Sequence, residues 1–298
     1  VTTDAAAAEA ATRSATVRGV LLYCAALLVA AGMDALVKLA SDRYATAELL
    51  VWRSVGAMPF VLAAAALGAG VRSLLPRNWA FVLGRGAILA VATGLFFWSL
   101  RGLDLATAYV ITFSLPLTMT VMAILLLGER VPAAGWLPVG VGFAGVGLAV
   151  APRLSQGEHL VFDAYAAAAF AATLLYALAL LLVRKVRGTE TNGALVFWGL
   201  VAMAAVAVPL AAAGGWRAPD AADLPLLLGI AATAAASQGL VTAAFATAEA
   251  SRLAPYEYTT LVWGVLLGAA IWGDVPSAAV LGGAGLVVAA ALLAARRR

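Results

Sequence analysis

Apolar residues run along this chain in stretches of about 20, each ended by a short cluster of charge, glycine or proline. A hydrocarbon layer about 30 Å thick needs roughly 20 helical residues to cross it. Cutting at SDRYAT, LGAGVRSLLPRN, RGLD, GERVP, PRLSQGEHLVFD, RKVRGTETN, GGWRAPDAAD, EASRLAP and GDVP predicts ten helices. They fall at 17–40, 46–68, 79–101, 105–127, 133–151, 163–184, 193–213, 223–247, 254–272 and 276–295. The tight steps at RGLD and GDVP force antiparallel neighbours, since one long helix through either would carry charge into lipid. Residues 1–16 read as a frayed tail before the first span.

Two of the cuts echo each other. LLLGERVPAAGW at 125–136 and AIWGDVPSAAVL at 270–281 both end an oily run on glycine followed by an acid, then proline and a new apolar run. Five predicted spans separate Glu129 from Asp274, and an odd number of spans reverses the side of the membrane. The pattern is that of a five-helix unit duplicated upside down, a common plan of secondary transporters. Both copies lead into a Gly/Ala-rich helix, GVGFAGVGLAV and GGAGLVVAAALL, whose small residues let helices approach closely. The predicted fold is therefore all-α and integral to the membrane, ten transmembrane helices as two inverted five-helix repeats. Repeat 1 spans 17–153, an outer linker 154–162, and repeat 2 163–298.

Composition agrees: of 298 residues 64% are hydrophobic and 11% charged, with mean hydropathy +0.99, far from what a soluble globule covers with polar surface. The basic residues sit in short clusters between apolar runs, which excludes a nucleic-acid face and sets orientation instead. With the N-terminus inside, twelve Lys and Arg lie in inner segments, among them Arg72, Arg77, Arg184, Lys185 and Arg252, against five outside: Lys38, Arg43, Arg101, Arg153 and Arg217. Both termini are thus expected in the cytoplasm. Cys24 is the only cysteine and His159 the only histidine, so neither a disulfide framework nor a metal site is expected. Gly140, Gly142 and Gly145 spell GxGxxG, but inside a membrane helix and without the strand that a dinucleotide site requires. No catalytic residues and no cofactor are expected.

Charges inside a span are costly unless paired or facing water, and they point to function. Counting from Arg43 at the first turn, Asp34 and Arg53 lie at matching depth, as do Lys38 and Glu48, so each pair is expected to meet. Either the pairs lock the hairpin or they face a water-filled cavity. Glu257 reads as a helix cap behind Pro255, and Arg85 as an anchor snorkelling to the headgroups. Polar and aromatic residues near mid-depth complete the candidate pocket: Thr93, Thr112, Ser114, Thr173, Tyr176, Ser237, Gln238, Thr260 and Trp263. Each alone could be an interhelical hydrogen bond; together, from both repeats, they predict a substrate site. Pro116 interrupts the ladder of the fourth span and is the expected hinge. Gly264 and Gly268 form a GxxxG expected to pack span nine inside the fold.

LDLATAYVITFSLPLTMTVMAILLLGERVPAAGWLPVGVGFAGVGLAVAP and ASRLAPYEYTTLVWGVLLGAAIWGDVPSAAVLGGAGLVVAAALLA resemble the span four–five and nine–ten signatures of the EamA-type branch of the drug/metabolite transporter superfamily. The resemblance covers nearly the whole chain, including Lys38 at the end of span one and Arg53 early in span two. Within the family it is most similar to bacterial YddG-type exporters of aromatic and other amino acids. Asp274 stands where Glu is usual, and span seven lacks a counterpart of Arg53. The resemblance implies a monomeric secondary transporter in the bacterial inner membrane, with a small-molecule substrate and the lipid bilayer as partners, exporting amino acids by alternating access. Import or exchange of another metabolite, such as a nucleoside or drug-like amphiphile, is the alternative on the same scaffold. An intramembrane lipid-acting enzyme would need a convergent acid, base or metal cluster, and a channel or scaffold would lack saturable transport.

Overall fold

The computed structural model describes residues 2–115, 117–119, 121–122, 136–155, 164–185, 190–247 and 253–296. Its helices are α1 (Thr2–Ala40), α2 (Thr46–Leu67), α3 (Trp79–Ser99), α4 (Leu105–Thr112), α5 (Trp136–Ser155), α6 (Ala164–Lys185), α7 (Asn192–Ala213), α8 (Leu224–Thr247), α9 (Thr259–Trp272) and α10 (Ala278–Arg296). Among the described residues there is no strand. Six helices, α1, α2, α3, α6, α7 and α8, are long and apolar enough to cross a membrane by length and composition, and shorter apolar helices accompany them. The protein is a multi-pass membrane protein.

Most boundaries fall where charge and proline put them, and capping explains why. Asn78 accepts from the Phe81 amide at 3.1 Å, Asp104 from the Thr107 amide at 2.6 Å and Thr191 from the Ala194 amide at 3.0 Å, each filling an orphan donor of a first turn. The glycine of the Gly-Asp step has an equally local cause. Gly273 takes a left-handed φ of +72° at the end of α9, and the amides of Gly273 and Asp274 fold back onto the carbonyls of Ala269 and Gly268; a side chain is strained there. The corresponding Gly128-Glu129 step lies outside the described residues.

Four elements differ from the sequence expectation. Helical backbone continues from Ala40 back to Thr2. A 3₁₀ turn, Ala254–Tyr258, precedes α9, and another, Val71–Leu74, lies between α2 and α3. Continuous α4 ends at Thr112, where Ser114 bonds back to Ile111 in a tighter turn. A proline clashes with the carbonyl four residues before it; for Pro116 that carbonyl belongs to Thr112. Pro116 itself is outside the described residues.

Helices far apart in sequence pack together: α1 on α8, α3 on α6, α2 on α7, α2 on α8, α3 on α7, α4 on α9 and α5 on α10. Small residues make the close crossings. A Cβ on Gly86 of α3 would lie 2.6 Å from the Ala202 Cβ of α7, and one on Gly145 of α5 2.7 Å from the Gly283 carbonyl oxygen of α10. In contrast α1 and α2, joined by a tight turn, barely touch. The first hairpin is splayed, and what lies between its arms is the site.

Candidate functional site

Between the arms of the first hairpin, α3, α4, α6 and the 3₁₀ turn before α9 enclose a cavity of about 330 Å³. Asp34 on α1 and Arg53 on α2 line it, with Thr93 on α3, Thr112 on α4, Tyr176 on α6 and Thr260 on α9. Six of the predicted substrate-binding residues therefore share one cavity, and Thr173 and Glu257 border it too. Its walls are aromatic: Phe96 and Tyr109 stack with ring centroids 6.5 Å apart, and Phe113 meets Tyr258 edge-on at 5.3 Å.

Asp34 and Arg53 face the same space but do not bond each other. Asp34, 8% exposed, accepts a hydrogen bond from the Tyr109 hydroxyl at 2.8 Å. Arg53 donates through Nη1 to the Met203 sulfur at 3.3 Å and lies over the Phe97 ring at 5.8 Å, while its Nε is buried without a partner. Depth matching put both residues in one layer, but equal depth gives contact only if the two helices pack, and α1 packs on α8 instead. The second expected pair fails for the same reason. Lys38 donates to the Leu103 carbonyl at 2.5 Å and sits 5.2 Å from the Trp272 ring centroid. Glu48 accepts from the Ala45 amide at 2.8 Å and the Arg217 amide at 2.6 Å.

The remaining predicted residues lie elsewhere. Ser114, in the turn after α4, directs its hydroxyl to the Ile111 carbonyl, and Ser237 directs its own to the Ala234 carbonyl within α8. Gln238 lines a separate recess with Phe60, Ser73 and Asn192. Trp263 packs against the main core, and its Nε1 is buried without a partner. Arg85, read from the sequence as an interfacial anchor, donates through its Nε to the Ala179 carbonyl of α6 at 3.0 Å. Sequence reading passed over Tyr109, the partner of Asp34. The signal was available, since a tyrosine inside a span must find a partner for its hydroxyl.

Polar ties bind the end that the charge bias predicts to be outer. Asp223, just before α8, takes an ion pair from Arg43 and a hydrogen bond from the Tyr44 hydroxyl at 2.9 Å. Burial, and then that hydrogen bond, hold the Tyr44 phenol above its usual range, so it remains a donor at neutral pH. At the opposite end Glu190 accepts from the amides of Arg77 at 3.0 Å and Asn78 at 2.7 Å, and Trp198 donates to the Leu74 carbonyl at 2.8 Å.

Comparison with known sequences decides the family. The profile of the EamA-like transporter family matches this chain twice, over residues 17–151 and 164–296. The chain belongs to the EamA-like transporter family. Members of this family are transporters, and this EamA protein is a transporter, not an enzyme. It is similar to the pseudopaline exporter CntI of Pseudomonas aeruginosa, 26% identical over 94% of this chain and 96% of that one. An S-adenosylmethionine uptake transporter of Rickettsia bellii is 27% identical over 70% of this chain and 69% of its own length. A riboflavin transporter of Rhizobium johnstonii is 28% identical over 70% and 68% respectively. A protein of known crystal structure shares the fold, with a TM-score of 0.66 at 19% identity, covering 96% of this EamA chain and 99% of the other.

Proposed function

We propose that this chain is a secondary transporter exporting amino acids, aromatic ones included, across the bacterial inner membrane by alternating access. The observation that carries it is the cavity: a cation, two acids, hydroxyls and an aromatic wall line one space. A zwitterion with a variable side chain fits apolar walls with a few placed polar groups. Support for two inverted five-helix halves comes from the double family match and from the packing, and the charge bias of the loops favours both termini in the cytoplasm. Exchanging helices 1–5 with 6–10 turns the α1–α8 contact into α6–α3 and α2–α8 into α7–α3, and leaves α2–α7, α4–α9 and α5–α10 unchanged. Asp34 and Tyr109 are buried toward the predicted outer end, whereas Tyr176 and Glu257 at the other end of the cavity are exposed. That gradient suits a cavity open to the cytoplasm, from which an exporter loads. One chain supplies every residue that lines the cavity, which supports the monomer as the transporting unit.

Purified protein in liposomes is expected to catalyse counterflow of L-phenylalanine and L-tryptophan, and substrate-loaded vesicles to show saturable efflux. Exchange of nucleosides without amino acids would leave the scaffold and replace the cargo. Uptake is the second reading, because relatives of both directions are named: an exporter over the full length and uptake proteins over part of it. The direction of net flux in loaded vesicles of known orientation separates the two.

The topology has its own test. Single cysteines at positions 130 and 274, in a Cys24-free background, are expected to label from opposite faces of the membrane. Labelling of both from one face would sink the inverted arrangement.

A further inference from the structure

From the surroundings of Arg53 we infer that its guanidinium is the seat for a substrate carboxylate, and that this carboxylate is the feature a substrate must carry. The inference rests on the cavity being the transport site. Among the described residues no carboxylate or carbonyl oxygen accepts from Arg53: its one hydrogen bond runs to the Met203 sulfur, a weak acceptor, and its Nε is enclosed and unpartnered. A buried charge is ordinarily paired or fully hydrogen-bonded, and Asp34, an acid on the same cavity wall, is engaged by Tyr109 instead. Arginine presents a planar fork of donors that matches a carboxylate two bonds at a time. Here that fork is on a helix, held between the Phe97 ring and Met203, and lines the cavity. The site is thus built around a cation whose acceptor is missing among the described residues. Every other polar group on the wall is a hydroxyl or an acid, and none of these replaces Arg53 as a fixed positive charge.

The test compares ligands that differ only in the carboxylate. L-phenylalanine against L-phenylalaninamide, and 3-phenylpropionate against 3-phenylpropionamide, are titrated into the purified full chain by calorimetry. The carboxylates are expected to bind about 10- to 100-fold more tightly than their amides, the range of one charge-assisted hydrogen-bonded contact. Arg53→Gln should abolish the preference, and Arg53→Lys, which keeps the charge but not the fork, should restore part of it. Equal binding of amide and carboxylate to the unaltered protein overturns the assignment, as does a preference that survives in Arg53→Gln, or no binding of either carboxylate. The ligand pairs need no variant, so a misfolded Arg53→Gln protein does not block the answer. Should 3-phenylpropionate bind through Arg53 while amino acids fail to exchange in liposomes, the carboxylate seat stands and the amino-acid cargo falls. Should amino acids exchange while carboxylate and amide bind alike, the cargo stands and the seat falls.

Discussion

Replacing Gly283 by leucine is expected to leave almost no correctly folded protein. Gly283 lies where α10 crosses α5. An added Cβ would collide with the Gly145 carbonyl oxygen and lie 2.8 Å from the Ala149 Cβ and 3.0 Å from the Ala149 amide nitrogen. Two of those three atoms are backbone, so no rotamer change relieves the overlap and the helices must separate. In lipid, association depends on close packing rather than on burial of apolar surface, so separation removes what holds the pair together. Overpacking by one methyl costs about 1 to 3 kcal/mol, and the rest of a leucine adds to that. Gly285→Leu on the same helix and Gly147→Leu on its neighbour are the controls, because a Cβ at either meets nothing within 4 Å. The measurement is the monodisperse fraction and melting temperature in detergent. Equal behaviour of Gly283→Leu and Gly285→Leu would contradict the crossing.

The crossing also shows what the sequence could and could not disclose. Span positions were legible because every apolar run is long and every interruption carries charge, glycine or proline; the ends of α2, α3, α7 and α8 fall within two residues of the cuts. The Gly-Asp step could be recognised as a boundary, and its left-handed Gly273 supplies the reason. Side-chain partners were not legible to the same degree. Asp34 and Arg53 could be assigned to one depth by counting from Arg43, but their contact required knowing which helix packs on which. That choice is set by small residues far away in sequence, such as Gly56, whose added Cβ would collide with Ala231 of α8. The hairpin therefore splays, and the two charges become opposite walls of a cavity. Gln238 shows the complementary limit: counted to mid-depth from the sequence, it faces a different recess, because a helix rotation cannot be read from composition that is apolar on all sides.

Loop-to-loop ties bear on how the halves could move. Glu48 at the start of α2 reaches the 214–223 segment between α7 and α8, while Glu190 at the start of α7 reaches the segment between α2 and α3. Each is a carboxylate accepting backbone amides, and the two occupy equivalent places in the two halves at opposite ends of the α2–α7 pair. Bonds at both ends hold that pair together in this structure. The break of α4 after Thr112, beside the cavity, is the place in the described residues where a bending motion can centre.

The Asp34–Tyr109 bond is the second large effect, and a double-mutant cycle isolates it. Both residues are almost fully buried, at 8% and 4% exposure, and among the described residues the phenol is the carboxylate's one hydrogen-bond donor, at 2.8 Å. A hydrogen bond to a charged group contributes about 1.5 to 3 kcal/mol, and stranding the buried partner adds its desolvation cost. Tyr109→Phe keeps the ring that Gly264 makes room for, whose Cδ2 would lie 2.5 Å from a Cβ at that glycine, so it removes the hydroxyl and little else. In the unaltered protein it should lower stability by about 2 kcal/mol; in an Asp34→Ala background, where nothing remains to accept, it should cost under about 0.5 kcal/mol. The difference is the coupling energy. Asp34 and Arg53, which share the cavity without touching, should couple more weakly than this pair. Transport should fall with Tyr109→Phe, because an acid that has lost this donor is free to turn toward Arg53 and occupy the place where the substrate carboxylate would sit. A Tyr109→Phe cost that is the same with and without Asp34 would show that the two do not meet, and that the acid faces the cavity unrestrained.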